Sequence, residues 1–333
     1  MAAPLSSKAL EISRRLLGKE HPRTLAAMHN LAVVYKSAGR FNEAESLELK
    51  ALEIQRRVLG ADHPHTLISL NNLANIYKAA GRLKQAEPLF RQIWQARRKT
   101  LTAEHRLTID GENHLGVCLT MMDRFADAEL HLLNSHRDIQ RAKDVPPDWL
   151  SLYCDRLATL YERWEKPEQS TLWRERLVAA ELSRLADMPR DTPKRAGILV
   201  NVGLTLLKLH QYDKAEPLLR ECHAIREKKL PDNWLLFNAK SLLGGALAGQ
   251  GKKLSATDKQ AADKKFAEAE PLLLAGYEGM KQREEKISAD SQVRLTEALK
   301  RLIDLYETRT AEGDAEKAEK WKTELDGRQA GSQ

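Results

Sequence analysis

A 42-residue period constrains the fold of this chain more than any other feature of its sequence. The strings GKEHPRTL, GADHPHTL and TAEHRLTI return at this interval, with their histidines at His21, His63 and His105. An alanine followed by glutamate returns at the same interval, at Ala44, Ala86 and Ala128. A fixed period distributes equivalent residues along an axis, one per structural unit, and does not gather them at one site. The chain is therefore predicted to be an array of similar units.

Each unit has the pattern of two helices joined by a turn, and strand-like alternation is absent. Gly39 and Gly81 stand where a first helix must stop, because glycine adopts the left-handed conformation without a Cβ clash. The recurring alanines that follow are small because two helices crossing closely leave little room. We predict an all-α fold, a right-handed superhelical solenoid of antiparallel helix pairs.

The recurring His-Pro pair is predicted to be a connector between units. It follows a helix ending in RRLLG or RRVLG and precedes the next apolar helix. Pro22 and Pro64 suit the first turn of a helix, and a polar residue just before proline can cap that helix. A metal-binding role is disfavoured because the third copy has Arg106 in place of proline.

The units are predicted to form two blocks. After a disordered start at residues 1–8, a first block at 9–181 contains half a repeat plus about four units. A second block at 190–325 carries an inserted flexible loop near 252–264, and residues 326–333 form a disordered tail.

The opening half repeat follows from an internal match. The string ALEISRRLLG from Ala9 matches ALEIQRRVLG from Ala51, which is the second helix of a unit. The first helix of the opening unit is therefore missing, which predicts an exposed apolar edge. Such an edge offers a surface for self-association, or indicates a shortened form of a larger protein.

Composition and motifs argue against catalysis, a membrane span and a bound cofactor. Cys118, Cys154 and Cys222 form no Cys-x-x-Cys pair, so neither a zinc site nor a disulfide framework is predicted. Gly-x-Ser-x-Gly and His-Glu-x-x-His are absent, and GGALAGQGKK departs from the phosphate-binding loop. No apolar run is long enough for a signal peptide or a membrane helix. We predict a soluble, cytoplasmic, non-catalytic protein without metal or cofactor.

The repeat pattern resembles the tetratricopeptide repeat, in the 42-residue form of kinesin light chains and many bacterial proteins. A large residue, Leu, a small residue, Tyr and Ala occur in two units, at Met28, Leu31, Ala32, Tyr35 and Ala44 and at Leu70, Leu73, Ala74, Tyr77 and Ala86. The resemblance covers nearly the whole chain and is most specific at 20–135. Glu112 and Ser170 depart from it, which predicts looser packing there.

The carboxy half, with AEPLLLAGYEGM, resembles repeat arrays that follow bacterial serine/threonine kinase domains, for example in planctomycetes. No kinase signature is present in the chain. This resemblance implies one alternative function, a regulatory or docking array separated from its kinase.

The resemblance to tetratricopeptide repeats implies a non-catalytic protein-interaction scaffold that holds peptides in a concave groove lined by first helices. Carried over by position, the groove residues are Asn30, Val33, Lys36, Asn71, Asn72, Asn75, Lys78 and Asn113. Amides suit this role because they offer both a donor and an acceptor to a peptide backbone. The position of Asn30 recurs as Asn72, His114, Arg156 and Asn201. The alternative for these asparagines is hydrogen bonding to neighbouring helices.

Basic pairs also return at the repeat period. They are Arg14, Arg15, Arg56, Arg57, Arg98 and Lys99. Aligned in a stripe, they would attract an acidic partner or nucleic acid. We favour a solvated face balanced by Glu11 and Glu53, because the 54 basic and 47 acidic residues leave a net charge of only +7. A basic nucleic-acid-binding repeat protein is thus a disfavoured second alternative.

Overall fold

The chain folds into consecutive helices. A computed structural model describes residues 2–330, which contain fifteen α-helices, two short 3-10 segments and no strand. The helices are α1 Ala2–Leu17, α2 Pro22–Ser37, α3 Phe41–Leu59, α4 Pro64–Ala79, α5 Leu83–Thr100, α6 Arg106–Met121, α7 Phe125–Ile139, α8 Trp149–Arg163, α9 Pro167–Ala186, α10 Pro193–Lys208, α11 Tyr212–Lys229, α12 Trp234–Leu254, α13 Lys259–Lys281, α14 Val293–Arg309 and α15 Asp314–Ala330. After α1, each even-numbered helix is the first helix of a repeat and the next helix is its second. The all-α repeat fold predicted from the period is confirmed.

The chain divides into two compact parts, each made of several repeats: Met1–Trp173, called the first unit below, and Arg174–Gln333, called the second unit. The division falls inside α9, whereas the sequence predicted a boundary between residues 181 and 190. A continuous helix gives no composition change at this point, so the sequence carried no signal for it.

The recurring histidines are helix caps. The Nδ1 atoms of His21, His63 and His105 accept hydrogen bonds from the backbone N–H groups two residues later, at 3.1, 3.2 and 3.2 Å. Each bond satisfies one of the N–H groups that a helix start leaves without an intrahelical partner. The connector prediction is confirmed, since these histidines begin α2, α4 and α6.

The turns inside the repeats require a left-handed residue. Gly39 and Gly81 have φ of 72° and 72°, as the sequence predicted. The same turn position in later repeats is occupied by Asp123, Glu165 and His210, with φ of 57°, 56° and 54°. A side chain in this conformation costs roughly 1 kcal/mol, so these three turns are less stable than the two glycine turns.

Replacing Glu165 with glycine is therefore expected to stabilise the protein by about 0.5–1 kcal/mol, because glycine removes the Cβ clash at positive φ. Urea denaturation followed by circular dichroism measures the change. Ala26→Gly, at an exposed position inside α2, is the control and should cost about 1 kcal/mol. Equal destabilisation by both substitutions would contradict the prediction.

The alanine–glutamate pair packs helices and links repeats. Ala44, Ala86 and Ala128 are all 0% exposed. Glu45 accepts hydrogen bonds from the hydroxyl of Tyr77 at 2.9 Å and from Arg82 at 2.6 Å, both in the following repeat. In the second unit, Glu270 accepts from Tyr306 at 2.8 Å and from Arg309 at 2.6 Å. The pair thus places a small residue at the helix crossing and a carboxylate at the junction with the next repeat.

Glu112 and Ser170, the two residues that depart from the repeat pattern, both form polar contacts inside the fold. Glu112 is buried and lies 3.2 Å from His131 Nδ1 and 3.4 Å from Asn134 Nδ2. Ser170 is buried and its hydroxyl donates to the Ala158 carbonyl at 3.1 Å. Both polar groups therefore have partners at positions where the family has apolar side chains.

The predicted flexible loop near 252–264 is wrong. The extra residues lengthen α12 to Leu254 and begin α13 at Lys259, which leaves only a short turn. Phe266 is 2% exposed and packs so closely on α12 that a Cβ on Gly251 would lie 2.7 Å from its ring. Lysine, alanine and glutamine favour helix, and the partner helix buries the apolar side chains among them.

The predicted disordered ends are also corrected where the structure describes them. Residues 2–8 lie in α1 and residues 326–330 lie in α15, whereas Met1 and residues 331–333 lie outside the described range. Leu10 packs α1 against Leu25 and Met28 of α2, while Leu5 is 73% exposed. Self-association through this exposed side of α1 stays a prediction.

Candidate peptide-binding face

The predicted groove residues of the first unit lie on the first helices of its repeats. Helix α2 contacts α4, and α6 contacts α8. We define the first-helix face of this unit by Val33, Lys36, Asn75, Lys78 and Arg156, which lie on α2, α4 and α8. Val33 is 48% exposed, and the other four are half-buried. This face therefore combines exposed apolar surface with partly desolvated polar groups.

Two of the predicted amides on α4 lie close together on this face. Asn75 Nδ2 donates to the Asn71 backbone carbonyl at 2.8 Å. The side-chain oxygen of Asn71 is buried and, among the residues that the structure describes, has no donor. Asn30 lies one repeat earlier and is exposed. An amide oxygen that is buried without a donor costs free energy, so the Asn71 side chain is under-satisfied among the described residues.

Two other predicted amides, Asn72 and Asn113, are hydrogen-bonded to side chains of the protein itself. Asn72 Nδ2 donates to Glu48 Oε1 at 3.1 Å, and this buried carboxylate also lies 2.8 Å from His29 Nδ1. Asn113 is 0% exposed, donates to Ser135 Oγ at 2.8 Å and accepts from Arg156. The prediction that Asn113 faces the groove is wrong, since Arg156 contacts its amide. For Asn72 and Asn113 the alternative, bonding to neighbouring helices, is confirmed.

Three cations lie near one another on the first-helix face. Burial lowers the pKa of Lys78, and the positive charges of Arg156 and Lys36 lower it further. Burial likewise lowers the pKa of Arg156. Within residues 2–330, Lys78 Nζ forms no ion pair with a carboxylate, and it lies 5.7 Å from the centre of the Phe90 ring. The face therefore carries a positive charge for which the described residues provide no directly paired carboxylate.

One carboxylate, Asp110 on α6, moderates this charge. Burial alone would raise the pKa of Asp110, but the His114 imidazole and the charges of Arg97 and Arg156 hold that pKa below its usual value. His114 Nδ1 lies 3.4 Å from Asp110 Oδ1, and Arg97 NH1 lies 3.7 Å from Oδ2. Asp110 is thus ionised at neutral pH and already engaged by its neighbours.

Arg156 lies on the first-helix face but is not among the groove residues predicted from the sequence. The 42-residue period placed it at the position of Asn30 and Asn72, so the signal was present. Its residue type differs from the amides of the earlier repeats, so an amide pattern does not include it. An arginine at this position contributes charge where the earlier repeats contribute an amide.

The predicted basic stripe lies at the ends of second helices. All six of its side chains are exposed, at the ends of α1, α3 and α5. Arg57 NH2 pairs with Glu20 Oε1 at 2.7 Å, and Arg98 lies 5.3 Å from the centre of the Trp94 ring. The hydrogen bond from Arg57 lowers the pKa of Glu20. Arg57 thus pairs with a carboxylate in the connector, and the negative charge of Glu53 further favours its charged form.

The three thiols lie inside the fold. Cys118, Cys154 and Cys222 are buried and form no disulfide. Burial raises the pKa of Cys118 and of Cys222 to about 11, so both are protonated at neutral pH and poor nucleophiles. In residues 2–330 no cluster of three or more His, Cys, Asp or Glu side chains could hold a metal ion. Within the same range, every helix is too short or too polar to traverse a lipid bilayer.

Comparison with known proteins identifies the repeats. A tetratricopeptide repeat profile matches residues 24–65 and 195–233, and a second tetratricopeptide repeat profile matches residues 49–99. The chain matches no curated protein. These matches place the same repeat type in both units of the chain.

Solved structures share the fold. The nearly identical TPR-like repeats of a kinesin light chain-like protein from Podosopora anserina are 25% identical at a TM-score of 0.50, over 63% of this chain and 99% of that one. The apo quorum sensor NprR from B. thuringiensis is 14% identical at a TM-score of 0.57, over 98% and 82%. A Rap protein complexed with Competence and Sporulation Factor is 14% identical at a TM-score of 0.51, over 95% and 82%. Tetratricopeptide repeats therefore occur at residues 24–99 and 195–233, and the repeat fold is similar to that of a kinesin light chain-like protein.

Proposed function

We propose that the protein is a non-catalytic interaction scaffold whose first-helix face in the first unit binds a segment of a partner protein. The observation that carries this proposal lies on α4: within residues 2–330, the half-buried Lys78 has no carboxylate partner and the buried side-chain oxygen of Asn71 has no donor. Leaving such groups unpaired costs free energy, which a bound ligand offsets. A polypeptide carries both complementary groups, N–H donors for Asn71 and oxygen acceptors for Lys78.

Apolar side chains on the same helices support this proposal. Val33, Ile68 and Leu152 are 48%, 45% and 39% exposed on α2, α4 and α8. Peptide-binding surfaces combine apolar contact with a small number of placed polar groups. The Rap protein of similar fold was solved with Competence and Sporulation Factor, which supports an interaction role for this fold.

A quantitative affinity capture tests the proposal. Asn75→Ala combined with Lys78→Ala alters the face without removing the Asn72–Glu48 bond that joins two repeats. We expect partners captured by the wild type to fall about tenfold or more in recovery, as measured by mass spectrometry. Lys50→Ala, an exposed lysine on α3, is the charge-matched control and should retain them. Equal retention by the double variant and the control would refute binding at this face.

Two alternatives stay predictions. A docking array separated from a serine/threonine kinase would be supported by a kinase reading frame directly upstream. A nucleic-acid-binding role through the basic stripe predicts binding that weakens steeply as salt rises. A cytoplasmic location likewise stays a prediction.

A further inference from the structure

The connectors between repeats of the first unit concentrate most of the net positive charge of the protein. Segments 14–23, 56–65 and 98–107 each run from the last turn of a second helix into the following first helix, and we call them the connector surface. They contain nine basic and three acidic side chains, a net charge of +6 against +7 for the whole chain. The nine basic side chains are all exposed: Arg14, Arg15, Lys19, Arg23, Arg56, Arg57, Arg98, Lys99 and Arg106.

Exposed aliphatic side chains accompany these cations. At the ends of both α1 and α3, an Arg-Arg pair is followed directly by two aliphatic residues. Leu16 and Leu17 are 70% and 41% exposed, and Val58 and Leu59 are 54% and 41% exposed. Leu101, in the third segment, is half-buried. Exposed apolar residues scattered singly are ordinary, whereas these recur in pairs beside basic pairs.

The first two segments have the same backbone conformation. Gly18 and Gly60 end α1 and α3 with φ of 87° and 93°. The carbonyl of Gly18 accepts a hydrogen bond from Thr24 Oγ1 at 2.7 Å, and that of Gly60 accepts one from Thr66 Oγ1 at 2.8 Å. Each repeat therefore presents its basic and aliphatic pairs on a similarly fixed connector, which reduces the ordering cost of binding.

The first two segments are also neighbours in space. Arg57 NH2 at the end of α3 pairs with Glu20 Oε1, which lies between α1 and α2, at 2.7 Å. The two side chains are 61% and 44% exposed, so this ion pair is weak. The basic and aliphatic pairs of two repeats thus belong to one surface that stays strongly positive.

We propose that the connector surface docks onto a lipid bilayer that contains anionic phospholipid. Its arginine and lysine side chains contact the phosphate-bearing headgroups, and Leu16, Leu17, Val58 and Leu59 enter the boundary between headgroups and acyl chains. Stable attachment takes two such contributions together, because a few aliphatic side chains alone bind a bilayer only marginally. This attachment is peripheral and needs no membrane-spanning helix.

Other occupants fit the connector surface less well. A second copy of the chain would bring the same positive charge against it, which is repulsive. A nucleic acid would pair with the cations, but single strands bind by stacking on aromatic side chains and would leave the four aliphatic ones in water. The proposal is also independent of the first-helix face, because Asn75 and Lys78 of that face lie within α4 and outside the three segments.

Vesicle flotation tests the contribution of charge. The full chain is expected to float with phosphatidylcholine vesicles containing about 30% phosphatidylserine, and not with phosphatidylcholine alone. Arg14→Gln combined with Arg15→Gln should lower the partition coefficient about tenfold or more. Lys50→Gln combined with Lys84→Gln removes two exposed charges outside the connector surface and should lower it less than about threefold. Absence of flotation, or equal losses in the two variants, would overturn the proposal.

A second pair of variants tests insertion. Leu16→Ala combined with Val58→Ala should lower the partition coefficient about tenfold, because less apolar surface leaves water. Leu49→Ala combined with Leu130→Ala is the matched control, at side chains 45% and 60% exposed on α3 and α7, and should change it less than about twofold. All four positions are exposed, so both variants should keep the thermal midpoint within about 2 °C of the wild type. Unchanged flotation of the Leu16, Val58 variant would show adsorption by charge alone and overturn the proposal.

Soluble anions separate the bilayer from other partners. Glycerophosphoserine, the headgroup without acyl chains, should not displace the protein from vesicles. Displacement by it would assign the surface to free headgroup phosphate and overturn docking on a bilayer. A single-stranded oligonucleotide or polyglutamate that bound more tightly than vesicles, and did so equally in the Leu16, Val58 variant, would assign the surface to that polymer and likewise overturn the proposal. The Asn75→Ala, Lys78→Ala variant should float like the wild type, and its failure to float would contradict the connector surface as the site.

Discussion

Replacing Gly276 with alanine is expected to destabilise the second unit by about 2–3 kcal/mol, although the change adds only one methyl group. Gly276 lies in α13 where this helix crosses α12. A Cβ at this position would lie 2.6 Å from the Ser241 backbone nitrogen and 2.8 Å from Ser241 Cα. Backbone atoms of a packed helix cannot turn aside as a flexible side chain can, so the two helices must separate. Separation loses the contacts of buried side chains along both helices.

A second glycine in the same unit provides the control. Gly197 lies in α10, and a Cβ built there meets no atom within 4 Å. Gly197→Ala is therefore expected to stabilise the protein by up to about 1 kcal/mol through helix propensity. Urea denaturation of both variants measures the difference. If both alanine variants gained stability, the close approach of α12 and α13 would be contradicted.

Replacing Asp314 with asparagine is expected to cost about 2 kcal/mol at pH 7. Asp314 is 1% exposed at the start of α15 and accepts from Arg309 at 2.9 and 2.7 Å and from the Ala311 backbone N–H at 2.8 Å. Asparagine can keep the bond from Ala311 but loses the charge-assisted pair with Arg309. Hydrogen bonds to charged groups contribute about 1.5–3 kcal/mol each. The effect is large because Arg309 also joins Glu270 of the preceding repeat.

The cost of Asp314→Asn is expected to depend on pH. The hydrogen bonds from Arg309 lower the pKa of Asp314, and that of Glu270 is lowered in the same way. A depressed pKa in the folded state contributes stability that is fully present above the unfolded pKa, about 3.9, and is lost as pH falls through the folded pKa. Wild type and variant should therefore converge below about pH 3.

Denaturation midpoints at pH 7, 5, 3 and 2 measure this convergence. Asp326→Asn, at an exposed position of the same helix, is the control and should match the wild type at each pH. A difference between Asp314→Asn and the wild type that persisted unchanged at pH 2 would show that the ionised carboxylate is not its source.

The repeat period predicted most of the fold because each periodic residue has a local cause. The histidine caps, the glycine turns and the buried alanines all depend on contacts inside a repeat or with the next one, and these contacts recur with the sequence. The loop predicted near 252–264 failed for a different reason. A polar, lysine-rich insertion can loop out or extend the two flanking helices, depending on what its side chains pack against. Here Phe266 of α13 packs against Gly251 of α12, which favours the helical form.

The candidate site was less predictable because neighbouring positions on one helix face different surroundings. Asn71 and Asn72 are adjacent, yet Asn72 bonds to Glu48 whereas the side-chain oxygen of Asn71 has no donor in the described part of the chain. Asn113 has the residue type expected of a groove amide, but Arg156 from the next repeat contacts it. Residue type cannot reveal which amides are already occupied, since their partners lie 24 or 43 residues away in the sequence.

The carboxylate that Glu45 offers to Tyr77 and Arg82 binds only the adjacent repeat. These two hydrogen bonds of Glu45 end at the adjacent repeat, so they couple the unfolding of neighbouring repeats over a short range. Local unfolding that starts at one end of the first unit must therefore proceed one repeat at a time. Breaking each carboxylate contact between repeats is a separate free-energy barrier.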